Sequence, residues 1–219
     1  MSSVCFFHTG AVLTETFDEL ASEYIPDTEY YHMVDESVID ELLSEGALTP
    51  GITQRICSQL TLAEQAGADV VLDTCSSTSP AVNVARQIVD IPIVKIDDPM
   101  TERAVEVGDR IAVIATAAST LEPSTELVER KAARTDRPIE IQSSLVDDAF
   151  EARQNGETER HDRLVTERAR EVADDVDVIV LAQASMSHLE NELSEETGLT
   201  VLSSPDLAME RIADIAHSS

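Results

Sequence analysis

Short apolar runs rich in β-forming residues alternate along the chain with longer stretches in which apolar positions recur every three or four residues. The first pattern predicts eight strands, at 3–9, 28–34, 69–75, 92–97, 110–116, 138–144, 176–183 and 199–203. The second predicts amphipathic helices between them, for example over 53–66, 79–89 and 157–173. Strands and helices in alternation read as α/β, a parallel sheet covered by helices.

The same pattern repeats. Ala68 to Thr78 (ADVVLDTCSST) lies over Val176 to Met186 (VDVIVLAQASM) without a gap, which sets Gln183 over Cys75 at a shift of 108 residues. Val4 to Thr9 lies over Ile111 to Thr116 at a shift of 107, and Asp98-Pro99 over Ser204-Pro205 at 106. Val34-Asp35-Glu36 over Val146-Asp147-Asp148, at 112, completes the series. Landmarks in one order at nearly one spacing predict two copies of a βαβαβαβα unit, four strands each, related by a pseudo-two-fold axis.

In open parallel sheets ligands bind beyond the carboxyl ends of the strands, beside the unpaired amides of the helices that follow. Hydroxyls crowd these positions: Thr9 after His8, then Ser76, Ser77 and Thr78 after Cys75, and in the second copy Thr116, Ser119, Thr120 and Ser185. Each is also a favoured helix cap. Grouped beside unpaired amides, they suit a small carboxylate, whose oxygens accept several hydrogen bonds without a metal or an arginine. Cys75 lies between a predicted strand and a predicted helix, where the helix dipole is expected to lower its pKa. Cys5, inside a strand, and Cys57, on an apolar helix face, read as packing residues.

Charge narrows the classes further. Forty-three acidic residues against fifteen basic ones give a net charge of −28, with two lysines, Lys95 and Lys131, beside thirteen arginines. Nucleic acid is excluded as a partner, because binding it requires the basic residues this chain lacks. Apolar residues are 42% of the chain, so the charge reads as a solvated surface and not as disorder. Self-repulsion at this charge is screened by molar salt, which predicts a halophilic protein of a salt-rich cytoplasm. No long apolar run or basic leader suggests a membrane span or export. His8, His32 and His188 have no metal-ligand spacing, the three cysteines fit neither a zinc site nor a disulfide framework, and glycine-rich phosphate loops are missing; neither metal nor nucleotide cofactor is expected.

The chain resembles the aspartate/glutamate/hydantoin racemase superfamily, which also contains maleate isomerases and arylmalonate decarboxylases. The likeness rests on Asp35-Glu36-Ser37, Glu45-Gly46 and Leu48-Thr49-Pro50, on residues 66–82, 92–100, 110–120 and 176–187, and on Ser203-Ser204-Pro205. It implies two flavodoxin-like halves with a cleft between them, residues 1–98 plus 206–219 and residues 99–205, the C-terminal helix packing back on the first. It also implies a cofactor-independent racemase or isomerase of a small carboxylate, an amino acid or hydantoin-like molecule, in a homo-oligomer. In the two-thiol members one cysteine from each half serves opposite faces of the substrate α-carbon. Cys75 matches the first position, as acid/base or nucleophile; the second is Gln183, an amide that neither donates nor takes a proton near neutral pH. Gln183 would then orient substrate, His8, Thr9, Ser76, Ser77, Thr78, Thr116, Ser119, Thr120, Ala184 and Ser185 would bind it, and the amides of 76–78 would stabilise an enolate-like charge. A single thiol also suits decarboxylation with stereospecific protonation, cis–trans isomerisation of a dicarboxylate, or carboxylate binding without catalysis.

Overall fold

Val4 to Phe7, Val70 to Leu72, Ile111 to Ala115 and Val178 to Leu181 are continuous apolar runs, and each lies buried in a strand covered on both faces, as inner strands of parallel sheets are. The computed structural model describes residues 2–218. Its first elements are β1 (Ser3–His8), α1 (Leu13–Tyr24), β2 (Glu29–Val34), α2 (Glu36–Glu45), α3 (Pro50–Gln65), β3 (Val70–Asp73), α4 (Ser79–Ala85) and β4 (Ile93–Lys95). Then follow α5 (Asp97–Val107), β5 (Arg110–Ala115), α6 (Ala118–Ala132), β6 (Glu140–Leu145), α7 (Asp147–Gln154), α8 (Thr158–Val172), β7 (Val178–Leu181), α9 (Glu190–Thr197), β8 (Thr200–Leu202) and α10 (Ser204–Ser218). The chain divides into two compact units, one running to Ile96 and resuming at Asp206, the other spanning Asp97–Pro205.

Each unit contains one four-stranded parallel sheet, in the order β2-β1-β3-β4 in the first and β6-β5-β7-β8 in the second. The repeat seen in the sequence is thus a repeat of topology. Phe7 pairs with Asp73 in the first sheet and Ile114 with Leu181 in the second, which sets Cys75 and Gln183 at corresponding places, each two residues past the end of its sheet's third strand in chain order. The edge strands β2 and β6 are more polar and mostly unburied. Separate apolar cores back the two sheets, one around Val71, Ile52, Ile56 and Leu60, the other around Ile179, Val165, Ala169 and Leu193.

Local chemistry fixes the helix ends. Thr49 caps α3 through its hydroxyl, which accepts the Ile52 N–H at 3.2 Å, and Pro50 stands in the first turn, where a missing N–H costs nothing. Gly108 follows α5 where a Cβ would stand 2.6 Å from Val178 Cγ2, so only glycine lets that helix end meet β7 so closely. One predicted helix is shorter than expected. The stretch forecast over 79–89 is α-helical only to Ala85 and then tightens into turns, the Gln87 and Ile88 N–H groups bonding the Val84 and Ala85 carbonyls at 3.0 and 2.9 Å. Among the described residues no helix is long and apolar enough to cross a membrane.

Candidate active site

Past Asp73 the first unit's backbone stays extended for two residues and then coils into a single 3-10 turn, Ser76–Thr78, before α4. The Thr74 N–H still bonds the Phe7 carbonyl at 3.0 Å, so Cys75 is the first residue beyond the ladder. Thr78 closes the turn. Its N–H donates to the Cys75 carbonyl at 3.1 Å, and its Oγ1 lies 2.7 Å from that carbonyl and 3.0 Å from both carboxylate oxygens of Asp73. Asp73 is fully buried, whereas Cys75 keeps partial access to its surroundings.

The expected lowering of the Cys75 pKa is overturned. Burial pushes the thiol up, the Asp73 carboxylate pushes it further, and hydrogen bonds from the Thr9 and Thr78 hydroxyls and the Ser77 amide offset only part of this. The dipole is weak here because a three-residue 3-10 turn intervenes, and because α4 has seven residues with Pro80, which has no N–H, in its first turn. The three amides expected to face an enolate are also partly committed, that of Thr78 to the Cys75 carbonyl and that of Ser77 to the thiol. Cys5 and Cys57 lie in the core, Cys5 with its thiol pushed up to about 12 by burial.

In the second unit Gln183 leads into the 3-10 turn Ala184–Leu189 from the same extended backbone. Its Oε1 accepts from the Thr116 N–H at 2.6 Å and lies 2.9 Å from Thr116 Oγ1. Because a backbone N–H can only donate, the oxygen of the amide is identified. Thr116 and Thr120 are buried, and Ser119, Ala184 and Ser185 are half-buried. Ser185 lines a cavity of about 470 Å³ with Arg153, Thr158, Asp162 and His188.

His8 is fully buried, as Thr9, Ser76, Ser77 and Thr78 nearly are. Both its ring nitrogens are engaged: Nδ1 lies 2.8 Å from Thr74 Oγ1 and Nε2 lies 2.8 Å from His32 Nδ1. No local pattern signals that partnership, because the two histidines are 24 residues apart and meet only through strand pairing. Phe6 is the register partner of His32, and His8 reaches it diagonally. Asp73 stands two residues before Cys75, and strand alternation places residues 73 and 75 on one face. Among the described residues no group of three or more histidine, cysteine or acidic side chains is arranged to hold a metal ion.

A family model described as Asp/Glu/hydantoin racemase matches residues 5–212. Among curated proteins no sequence matches significantly. Solved structures similar to the chain include allantoin racemase from Klebsiella pneumoniae, at 16% identity and TM-score 0.70, covering 100% of this chain and 89% of that one. A glutamate racemase isoform from Bacillus anthracis matches at 17% identity and TM-score 0.77, covering 99% of this chain and 82% of that one. Aspartate racemase from Picrophilus torridus matches at 14% identity and TM-score 0.70, covering 98% of this chain and 95% of that one. At such identities the structural likeness speaks for the fold.

Proposed function

The chain belongs to the Asp/Glu/hydantoin racemase family and is an enzyme of the racemase type, and from that premise we propose that it acts on a small carboxylate, without metal or organic cofactor, through the thiol of Cys75. The candidate substrates are amino acids and hydantoin-like molecules; the similar structures include racemases of glutamate, aspartate and allantoin. Supporting this reading is one observation above the others: a partly accessible thiol stands at a strand end, hydrogen-bonded by the hydroxyls of Thr9 and Thr78. In the reaction Cys75 exchanges a proton with the substrate α-carbon. Ser76 and Ser77, which follow Cys75 in the same unit, hold the substrate carboxylate.

A thiol held above its ordinary pKa carries its proton at neutral pH. The donor form is populated there, and little thiolate is present to act as a base. Together with Gln183, which brings no second thiol, this favours a further reading: loss of CO₂ from a malonate-type substrate, followed by protonation of the carbanion on one face by Cys75.

Turnover in deuterated water at high KCl separates the two. A panel of aspartate, glutamate, hydantoins, maleate and substituted malonates is scored for deuterium at the α-carbon. Racemisation gives exchange without CO₂ and a rate that climbs with pH toward the raised thiol pKa. Decarboxylation gives CO₂, one deuterium and one enantiomer, at a rate flat near neutrality that falls above that pKa. In either case Cys75→Ala is expected to lose roughly 10²–10⁴-fold in rate, the usual worth of a positioned acid or base. Turnover by Cys75→Ala at the wild-type rate defeats both readings.

A further inference from the structure

Behind the thiol-bearing strand end, four side chains of the first unit form an unbroken hydrogen-bonded row. Asp18 on α1 lies 3.1 Å, through Oδ1, from His32 Nε2; His32 Nδ1 lies 2.8 Å from His8 Nε2; His8 Nδ1 lies 2.8 Å from Thr74 Oγ1. Two fixed groups close the ends. The Tyr30 hydroxyl donates to Asp18 Oδ1 at 2.9 Å, and the Phe7 carbonyl lies 3.0 Å from Thr74 Oγ1. The two imidazoles stack at 5.1 Å between centroids and 21° between planes, with Phe6 and Phe17 packed against them.

Counting protons along the row leaves three arrangements, of which one is disfavoured. Asp18, as a carboxylate, requires a proton on His32 Nε2. If His32 is neutral, its Nδ1 is bare and accepts from His8 Nε2–H; His8 Nδ1 is then bare and accepts from the Thr74 hydroxyl. If His32 is a cation, its Nδ1–H donates to His8 Nε2, the His8 proton sits on Nδ1 and donates to Thr74 Oγ1, and the Thr74 hydroxyl turns to the Phe7 carbonyl. Every polar atom in the row is satisfied in both, and they differ by one proton. The remaining arrangement, a charged His8, is disfavoured: burial and then the neighbouring His32 press its pKa down to about 4. The titratable groups acting on the pair are Asp18 from α1 and Tyr30 from β2, while β1 and the end of β3 contribute uncharged Phe6 and Thr74.

We propose that Asp18, His32, His8 and Thr74 form a one-proton relay in which protonation of His32 reverses the tautomer of His8 and turns the Thr74 hydroxyl, making both histidines positioning residues for the strand end that carries Cys75. His32, with a side chain 18% exposed, takes the proton from solvent, and Thr74 reports it to the residue before the thiol. The proposal deepens the reading of Cys75 as the reacting group, and it gives His8 a role other than touching substrate.

Imidazole ¹⁵N spectra of the full chain, labelled at histidine and titrated between pH 4.5 and 9 in molar KCl, test it directly. The His8 signals are identified by their loss in His8→Asn. The expected result is that His8 passes from the Nε2–H to the Nδ1–H tautomer as the pH falls, with the same midpoint as His32. In Asp18→Asn, altered at an exposed side chain, the His8 tautomer exchange moves to lower pH, because the row loses the carboxylate that favours its protonated arrangement. If His32 controls the site, the pH–rate profile of turnover moves by the same interval, which a purely structural role would not produce. A single His8 tautomer throughout the titration of His32, a His32 that does not titrate, or midpoints unmoved in Asp18→Asn overturns the relay. That failure leaves the chemistry of Cys75 standing, whereas an active Cys75→Ala defeats the chemistry and leaves the tautomer exchange untouched.

Discussion

Removing the Asp35 carboxylate tests how the turn from β2 into α2 is held beside the site. The Asp35 side chain is only 11% exposed and accepts from Arg55 Nε and Nη2 at 2.8 and 2.6 Å, from Ser37 Oγ at 2.6 Å and from Gln59 Nε2 at 3.1 Å. Its backbone N–H reaches the His8 carbonyl at 3.0 Å, tying the turn to the end of β1. Burial alone would raise its pKa, but the hydrogen bonds from Ser37 and Arg55 hold it below the ordinary carboxylate value. Asp35→Ala strands these donors. A hydrogen bond to a charged group contributes about 1.5–3 kcal/mol net, and Arg55, 37% exposed, recovers water, so the expected loss is about 2–3 kcal/mol in total. For a chain of this length that is a fall in Tm of about 5–10 °C, read by circular dichroism in molar KCl at pH 7. The sign of the pH dependence is fixed: the depressed native pKa gives stability that is fully present above the unfolded value of about 3.9 and is lost as pH drops through the native one. The gap between wild type and variant must therefore close in acid. A variant within 1 °C of wild type at pH 7, on the order of 0.3 kcal/mol, or a gap that persists unchanged in acid, refutes the reasoning.

Thermal stability should also rise with KCl between about 0.2 and 3 M, because 43 acidic residues cannot all pair with 15 basic ones and screened repulsion outweighs the surface ion pairs that salt weakens; a Tm that is flat or falls with KCl removes the basis for a salt-adapted surface. At the second strand end, Gln183→Leu should cost about 1–3 kcal/mol, since two Thr116 donors lose their acceptor, while Gln183→Glu keeps an acceptor and should unfold within about 1 kcal/mol of wild type. Equal stability of the leucine variant would mean that Thr116 does not fix the amide.

Legibility in the sequence followed burial. β1, β3, β5 and β7 are apolar on both faces, so their runs stand out without a partner, and the repeat shifts of 107 and 108 residues reappear as corresponding registers, Phe7 with Asp73 and Ile114 with Leu181. Boundaries were less legible: the runs forecast at 69–75 and 176–183 form strands only over Val70–Asp73 and Val178–Leu181, although Cys75 and Gln183 beyond the ladders still have extended backbone. The identity of Cys75 as the outstanding thiol was readable from its place after a strand, but its electrostatics were not. A dipole argument presumes an α-helix, and the chain makes a 3-10 turn there, with Asp73 buried two residues upstream. The bond between His8 and His32 depends on pairing two strands in one register, which no local pattern encodes.

Comparison of the two strand ends, each within its own unit, explains why an amide suits the second. In both, a threonine following the first strand bonds the side chain two residues past the third: Thr9 to Cys75 and Thr116 to Gln183. What the second strand end requires structurally is an acceptor for two donors, and the Gln183 carbonyl oxygen meets that need at 2.6 and 2.9 Å. A thiolate would meet it too. Glutamine therefore satisfies the hydrogen bonding of the turn without bringing a titrating group. At the first strand end stands the thiol of Cys75, where burial and Asp73 keep the proton on sulfur at neutral pH. On the proposal that Cys75 is the reacting group, a thiol that holds its proton at neutral pH suits protonation of a carbanion, and the direction of the pH–rate profile decides between the two readings.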